Sequence, residues 1–312
     1  MTTTRLLTAT AAGIGEAARL LRDGALVAFG TETVYGLGGD ATNAAAVAAI
    51  YTAKGRPSFN PLIAHVCDLA QAQDIAELPD WALALAADHW PGPLTLVVPV
   101  RSGTVADLVT AGLPTVAVRV PAHPTARALL KAVGRPVAAP SANPSGRISP
   151  TTAAHVMDGL SDRIAAVLDT GPCETGLEST IVGADAQGHP ALLRPGGLSI
   201  GAIEGSLGQR LAAAGPGITA PGQLSSHYAP DAAVRLNVTE PAEGDFMIGF
   251  GVVGGDINLS PAGDTTEAAT RLFSALHQAN ASGRAIAVAP IPKTGLGVAI
   301  NDRLARAAAP RG

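Results

Sequence analysis

Apolar residues recur at Ile14, Ala17, Ala18 and Leu21, the spacing of one helix face, and Gly24 follows where such a helix would stop. The next apolar run, ALVAF, is short and continuous, as in a buried strand. After it comes GTETVYGLGGDATN, Gly30 to Asn43, whose hydroxyls and glycines read as a strand-to-helix connection. Asn43 caps the alanine-rich helix AAAVAAIYTA and Gly55 ends it, so Lys54 and Arg56 fall at a helix terminus ahead of a strand in PLIAHV. LTLVVPV, TVAVRV and RPVAA read as further strands, and Trp81–His89, Thr125–Val133 and Thr152–Leu160 as helices. Short strands in AAVLD, STIVGA and ALLRP and a helix at Ile200–Leu207 close the first unit.

The texture changes in GPGITAPGQLSSHYAP, Gly215 to Pro230, where proline and glycine interrupt any period. Beyond it AAVRLNV, DFMIGF and AIAVAP read as strands and Thr266–Ala281 as a helix. At 312 residues the chain is too long for one comfortable core. The pattern predicts an α/β protein with a mixed sheet over residues 1–209, a linker over 210–231 and a small α/β domain over 232–312.

Composition narrows the function. Nearly half the residues are apolar and 15% are charged, which argues against disorder. A formal charge of −4 provides no broad attraction to a nucleic-acid backbone or an anionic membrane, so strong direct nucleic-acid binding is not expected. The opening MTTTRLLTATAAG lacks the apolar core of a secretory leader, and no apolar run is long enough to span a bilayer. Cys67 and Cys173 stand far apart and read as free thiols, and the expected compartment is the cytoplasm.

Several chemistries are poorly supported. GFGVVG at Gly249–Gly254 fits the dinucleotide pattern, but GDINLSPAGD follows where a helix should begin, so it reads as a turn. The seven histidines form no metal-type cluster, and no nucleophile elbow occurs. What remains is distributed: Thr31, Glu32, Thr33 and Tyr35; Lys54, Arg56 and Asn60; His65 and Arg119; PSANPSGRISPT; Glu178 to Thr180; and Arg194. Singly, each is accounted for as a polar loop or a helix-end cation facing solvent. Together they put cations and small hydroxyls at the ends of apolar strands, where an open α/β sheet collects ligand groups, and their chemistry suits phosphates and a carboxylate.

TETVYGLG, KGRPSFNPL, PSANPSG, ESTIV and RPGG, in this order, resemble the YrdC/Sua5 family of threonylcarbamoyl-adenylate synthases, and APGQLSSHYAP resembles the linker of its longer, two-domain form. The resemblance implies a YrdC-like twisted mixed sheet with helices and a small C-terminal Rossmann-like domain. It implies condensation of L-threonine, bicarbonate or CO2, and ATP to threonylcarbamoyl-AMP and pyrophosphate. A separate tRNA threonylcarbamoyl transferase would then use the product for the t6A modification at tRNA position 37. Lys54, Arg56, Ser141 and Asn143 match the family's Lys-x-Arg and Ser-x-Asn signature and are the implied catalytic residues.

The resemblance further assigns Thr33, His65, Arg119, Ser179 and, through its backbone, Ala139 to the threonine site. Arg56, Asn60, Thr115, Ser141, Ser149, Arg194 and Tyr228 would face ATP, with Lys54 and Asn143 completing the phosphate cradle. No side chain is expected to hold a metal; Mg2+ would arrive on the ATP phosphates. One departure is Gly30, where the family commonly has proline. The competing reading is a YrdC-type RNA-binding module without adenylation activity. A hydrogenase-maturation enzyme sharing the domain type would need zinc-finger and acylphosphatase regions, which this sequence does not contain.

Overall fold

The computed structural model describes residues 3–215, 220 and 227–310. Strand β1 (Arg5–Thr8) and helix α1 (Ala11–Arg22) lead into a hairpin of β2 (Val27–Gly30) and β3 (Tyr35–Asp40). Then follow α2 (Ala44–Lys54), β4 (Ile63–His65), α3 (Leu69–Ile75), α4 (Asp80–His89), β5 (Leu94–Pro99), α5 (Asp107–Thr110), β6 (Thr115–Arg119), α6 (Pro124–Val133) and β7 (Val137–Ala138). The first unit ends with α7 (Ala153–Leu160), β8 (Ala166–Asp169), β9 (Thr180–Ala184), β10 (Pro190–Arg194), α8 (Ile200–Leu207) and β11 (Ala212–Ala213). These strands form one mixed eleven-stranded sheet in the order β1-β8-β2-β3-β7-β4-β6-β5-β9-β10-β11.

The second unit holds β12 (Val234–Leu236), β13 (Phe246–Gly249), β14 (Ile257–Asn258), α9 (Thr265–Ala281), β15 (Ile286–Val288) and α10 (Gly297–Ala307). Its four strands pair in parallel, in the order β12-β15-β13-β14. GFGVVG lies in the turn after β13, closed by the pairing of Phe250 with Val253.

Most predicted elements are present, with two corrections. GTETVYGLGGDATN is not a plain strand-to-helix connection, because its second half is β3, paired antiparallel with β2. The turn between them closes on Thr31, whose hydroxyl accepts from the Thr33 and Val34 amides and lies 2.7 Å from the Val34 carbonyl. The stretch assigned to a linker also begins inside the large sheet, since β11 pairs with β10. Most of PGITAPGQLSS lies outside the described residues; Ala220 within it is buried against Ile63, Val97, Ala117 and Ile181. The helix 44–54 starts and stops as predicted, with Asn43 Oδ1 accepting from Ala45 and Ala46 and Gly55 in the left-handed region.

Gly30 explains its own departure from the family pattern. A Cβ there would come within 1.9 Å of Thr170 Oγ1, so the threonine hydroxyl occupies the room that a larger residue needs. No described helix is long and apolar enough to cross a membrane.

The two sheets share apolar packing. Val34, Ile148 and Leu177 of the first unit belong to the same buried cluster as Phe273, Leu276 and Ile300 of the second. Polar contacts reinforce it: Thr270 Oγ1 donates to Glu174 O at 2.8 Å, and the His155 and His277 rings stack at 3.8 Å. At Gly176, where φ is 70°, a Cβ would stand 2.5 Å from Thr270 O and 2.7 Å from Ala269 O on α9. We expect Gly176→Ala to cost about 1–3 kcal/mol from the left-handed backbone alone and more from the clash. Thermal unfolding checks this: a wild-type Tm would show that the two units are not packed this closely.

Candidate active site

One cleft is lined by the first unit and by the described end of the linker. Thr31, Thr33, Val34, Arg56, His65, Arg119, Ala139, Ser141, Glu178, Ser179, Arg194, His227 and Tyr228 contribute to its wall. The sheet explains how distant segments converge there. His65 and Arg119 are register partners at the carboxyl ends of the parallel strands β4 and β6. Thr33 comes from the β2–β3 turn, Ala139 follows β7 with its amide on Ile63 O, Ser179 precedes β9, and Arg194 ends β10 beside a register shift opposite Ile181.

The Thr33–Arg119 side is tightly organised. Arg119 donates to Gly92 O at 3.2 Å, to Thr33 Oγ1 at 2.9 Å and to Glu32 Oε1 at 2.5 Å. Glu32 Oε2 accepts from the Ala122 and His123 amides. Burial raises the Glu32 carboxyl pKa, but the charge and hydrogen bond of Arg119 outweigh it and hold the group below its usual value. His65 is driven down to about 3 by burial and then by the neighbouring Arg119 charge, so it is neutral near pH 7. Its Nδ1 sits 3.3 Å from Ile63 O; with the proton on Nδ1, Nε2 is left as an acceptor. Ser179 Oγ lies 2.7 Å from Thr95 Oγ1.

The opposite side carries cations, and here a sequence expectation changes. Lys54 and Arg56 are not helix-end charges in solvent but buried groups. Lys54 Nζ donates to Ser141 O at 2.5 Å and to Asn143 O, bracing the PSAN loop. Arg56 donates to Asn60 O at 3.3 Å and Pro61 O at 2.9 Å. Burial, with Arg56 nearby, lowers the Lys54 pKa well below its usual value, and burial brings Arg56 down to about 10. Arg194 reaches Ser179 O at 2.7 Å, and its pKa is also lowered, mainly by burial. Asn143 Nδ2 is committed to Pro144 O and Arg147 O, so in this conformation it holds the loop rather than facing the cleft.

Nine of the predicted site residues therefore line one cleft: Thr33, Arg56, His65, Arg119, Ala139, Ser141, Ser179, Arg194 and Tyr228. Lys54, Asn60, Asn143 and Ser149 are buried and bonded to or beside residues of that wall. Thr115 does not join them. It starts β6, at the opposite end of the strand from Arg119, and lines a separate depression with Trp81, Val97 and Pro99.

Sequence reasoning missed the partners of two buried acids, Glu32 beside the cleft and Glu178 in its wall. Glu32 was recognised as polar but not as the counter-ion of Arg119. Glu178 Oε1 accepts from Ser149 Oγ at 2.6 Å and Oε2 from Arg303 Nε at 2.8 Å, and Arg303 comes from α10, a helix the pattern did not predict. His227 and Tyr228, the described end of SSHYAP, are buried at the cleft with their rings stacked at 4.2 Å. Four buried polar atoms at or beside the cleft lack a partner among the described residues: Asn60 Oδ1, Asn143 Oδ1, His227 Nδ1 and Arg303 Nη2.

The family model described as "Telomere recombination" matches residues 19–196, and that described as "Threonylcarbamoyl-AMP synthase, C-terminal domain" matches residues 198–309. The chain is 40% identical to the threonylcarbamoyl-AMP synthase of Bacillus subtilis, covering 96% of this chain and 93% of the relative. It is 42% identical to that of Pyrococcus abyssi, covering 93% and 92%. The crystal structure of P. abyssi Sua5 complexed with L-threonine superposes with a TM-score of 0.89 at 37% identity, covering 98% of both chains. With both family models matched in order along one chain, this protein belongs to the YrdC/Sua5 family of threonylcarbamoyl-AMP synthases, in its longer, two-domain form.

Proposed function

We propose that this chain condenses L-threonine, CO2 or bicarbonate, and ATP into L-threonylcarbamoyl-AMP and pyrophosphate. The observation that carries this reading is one cleft with two chemically different sides. Neutral His65, Arg119, Thr33 and Ser179 suit an amino acid; Arg56 and Arg194, with Lys54 behind the Ser141 loop, suit a polyphosphate. The relative crystallised with L-threonine supports the first half.

In the first step the threonine amine adds to the carbon of CO2, forming an N–C bond and releasing a proton to solvent. A carbamate oxygen then attacks the α-phosphorus of ATP, and the bond to the departing pyrophosphate breaks. His65 Nε2 can accept a hydrogen bond from the amino acid, but a pKa of about 3 makes it too weak a base to carry the proton away. Arg56 and Arg194 would hold the triphosphate and oppose the charge growing on the leaving group. Their buried charges favour a polyanion as counter-ion, so binding energy and transition-state stabilisation share one source. Catalysis is then mostly positioning.

Among the described residues no group of three His, Cys, Asp or Glu side chains gathers to hold a metal. Mg2+ would arrive on the ATP phosphates and supply further neutralisation of their charge. We place the reaction in the cytoplasm and its labile product with a separate tRNA threonylcarbamoyl transferase. The RNA-binding reading has less support, because the aromatic ring in the cleft wall outside the histidines, Tyr228, is buried rather than offered as a stacking platform.

Incubation with ATP, Mg2+, bicarbonate and each amino acid tests the activity, by mass detection of the adenylate. Arg56→Ala should lower adenylate formation about 10²–10³-fold, the scale of removing one preorganised charge-stabilising donor. Lys54→Ala should lose activity and stability together, because its ammonium braces two loop carbonyls. Near-normal turnover of both variants at saturating ATP would remove the phosphate-binding assignment.

The hydroxyl network predicts amino-acid choice. Thr31 Oγ1 and Thr33 Oγ1 lie 2.8 Å apart and either can donate; Thr33 Oγ1 also accepts from Arg119 at 2.9 Å, which leaves it one further hydrogen-bonding position whichever way the pair runs. A threonine hydroxyl can fill that position, whereas valine leaves it empty. Serine lacks only the methyl, a loss of roughly 10–200-fold in kcat/KM. The expected order is threonine, then serine, then valine near background, and valine activated as well as serine would show that the pocket reads shape alone.

A further inference from the structure

We propose that Arg303, on α10 of the C-terminal unit, is a positioning residue for the polyphosphate side of the cleft, acting as the fixed counter-ion of Glu178. This rests on the functional reading above. Glu178 is the carboxylate in a wall that otherwise presents Arg56, Arg119 and Arg194. A carboxylate beside those cations competes with phosphate for them unless its own charge is met elsewhere. Arg303 meets it from behind: its side chain is fully buried, and its Nε donates to Glu178 Oε2 at 2.8 Å.

The same guanidinium is fixed from other directions. Its Nη1 donates to Asp302 at 2.6 Å, and its Cζ lies 5.3 Å from the centre of the Tyr228 ring, within cation–π range. Ser149 holds the other oxygen of Glu178 at 2.6 Å. Burial works to raise the Glu178 pKa, yet the charges of Arg303 and then Arg194 bring it below its usual value, so the carboxylate is ionised and already feels Arg194. Burial likewise opposes charge on Arg303, and Tyr228, Glu178 and Asp302 more than restore it. Without Arg303, the cation left acting on Glu178 is Arg194, which the nucleotide needs. The second domain thus contributes to the site by keeping an acid from neutralising it.

The test measures ATP and threonine affinities by calorimetry on full-length wild type, Arg303→Met, Arg303→Lys, Glu178→Gln and the double variant Arg303→Met/Glu178→Gln. Thermal unfolding reports which of them are folded. Arg303→Met should weaken ATP binding roughly 10–100-fold, the scale of a lost charged hydrogen bond, while threonine affinity changes less than about threefold. Arg303→Lys should lie between, and the double variant should recover most of the ATP affinity because the competing carboxylate is gone. Unchanged ATP binding in folded Arg303→Met would overturn the proposal. So would an equal loss for both ligands that Glu178→Gln does not rescue, the signature of simple domain undocking. If Arg303→Met does not fold, Glu178→Gln alone decides: ATP affinity at or above wild type supports the proposal, and a clear drop overturns it. A wild-type chain that binds threonine but not ATP would instead defeat the functional reading itself.

Discussion

Charge withdrawn from water must be compensated inside the protein, and at this cleft the compensation differs between acids and cations. The acids are met by ions: Glu32 by Arg119 and Glu178 by Arg303. Lys54 and Arg56 are met by backbone carbonyls, from Ser141, Asn143, Asn60 and Pro61. A carbonyl dipole satisfies a donor without cancelling its charge. Arg56 therefore keeps its charge, with a pKa brought down to about 10, while burial works against the charge on Lys54 and the carboxylates are paired with arginines.

That division depends on loops with carbonyls to spare. KGRPSFNPL and PSANPSGR carry proline at 57, 61, 140 and 144. Proline has no N–H to donate and does not extend a helix, so these segments remain irregular and their oxygens need donors. Lys54, Arg56 and Asn143 supply them, and the Ser145 amide closes back on Lys54 O. The same residues thus shape the loop and face or flank the cleft.

Much of this was legible in the sequence because it is local. The caps at Asn43 and Gly55, the strand ALVAF and the helix Ile200–Leu207 depend on near neighbours, and the structure has them where the pattern places them. The β2–β3 turn is not legible in the sequence, because its glycines mask a strand buried throughout, whose pairing with β2 only the sheet reveals. The cleft membership of nine residues followed from ordered motifs, but burial did not: an isolated Lys-x-Arg at a helix end reads as solvated until the loop that covers it is known. Thr115 shows the converse limit, since position along a motif does not say which end of a strand faces the cleft. Arg303 carried no signal, being one of two arginines in a helix the pattern does not predict, with a partner 125 residues away.

The second unit acts on the site through an interface that is apolar and ionic at once. Val34, Ile148 and Leu177 share their packing with Phe273, Leu276 and Ile300, and the Glu178–Arg303 pair crosses the same boundary. Separating the units would expose that apolar surface and break the Glu178–Arg303 pair in one event, so the two losses come together rather than in sequence. Tyr228 is buried against Phe273 on one side and lies under Arg303 on the other, so the linker's end is fixed by the joint it connects. The C-terminal unit thus reaches the cleft through this boundary, although the first unit supplies all but two of the residues that line it, His227 and Tyr228 being the exceptions.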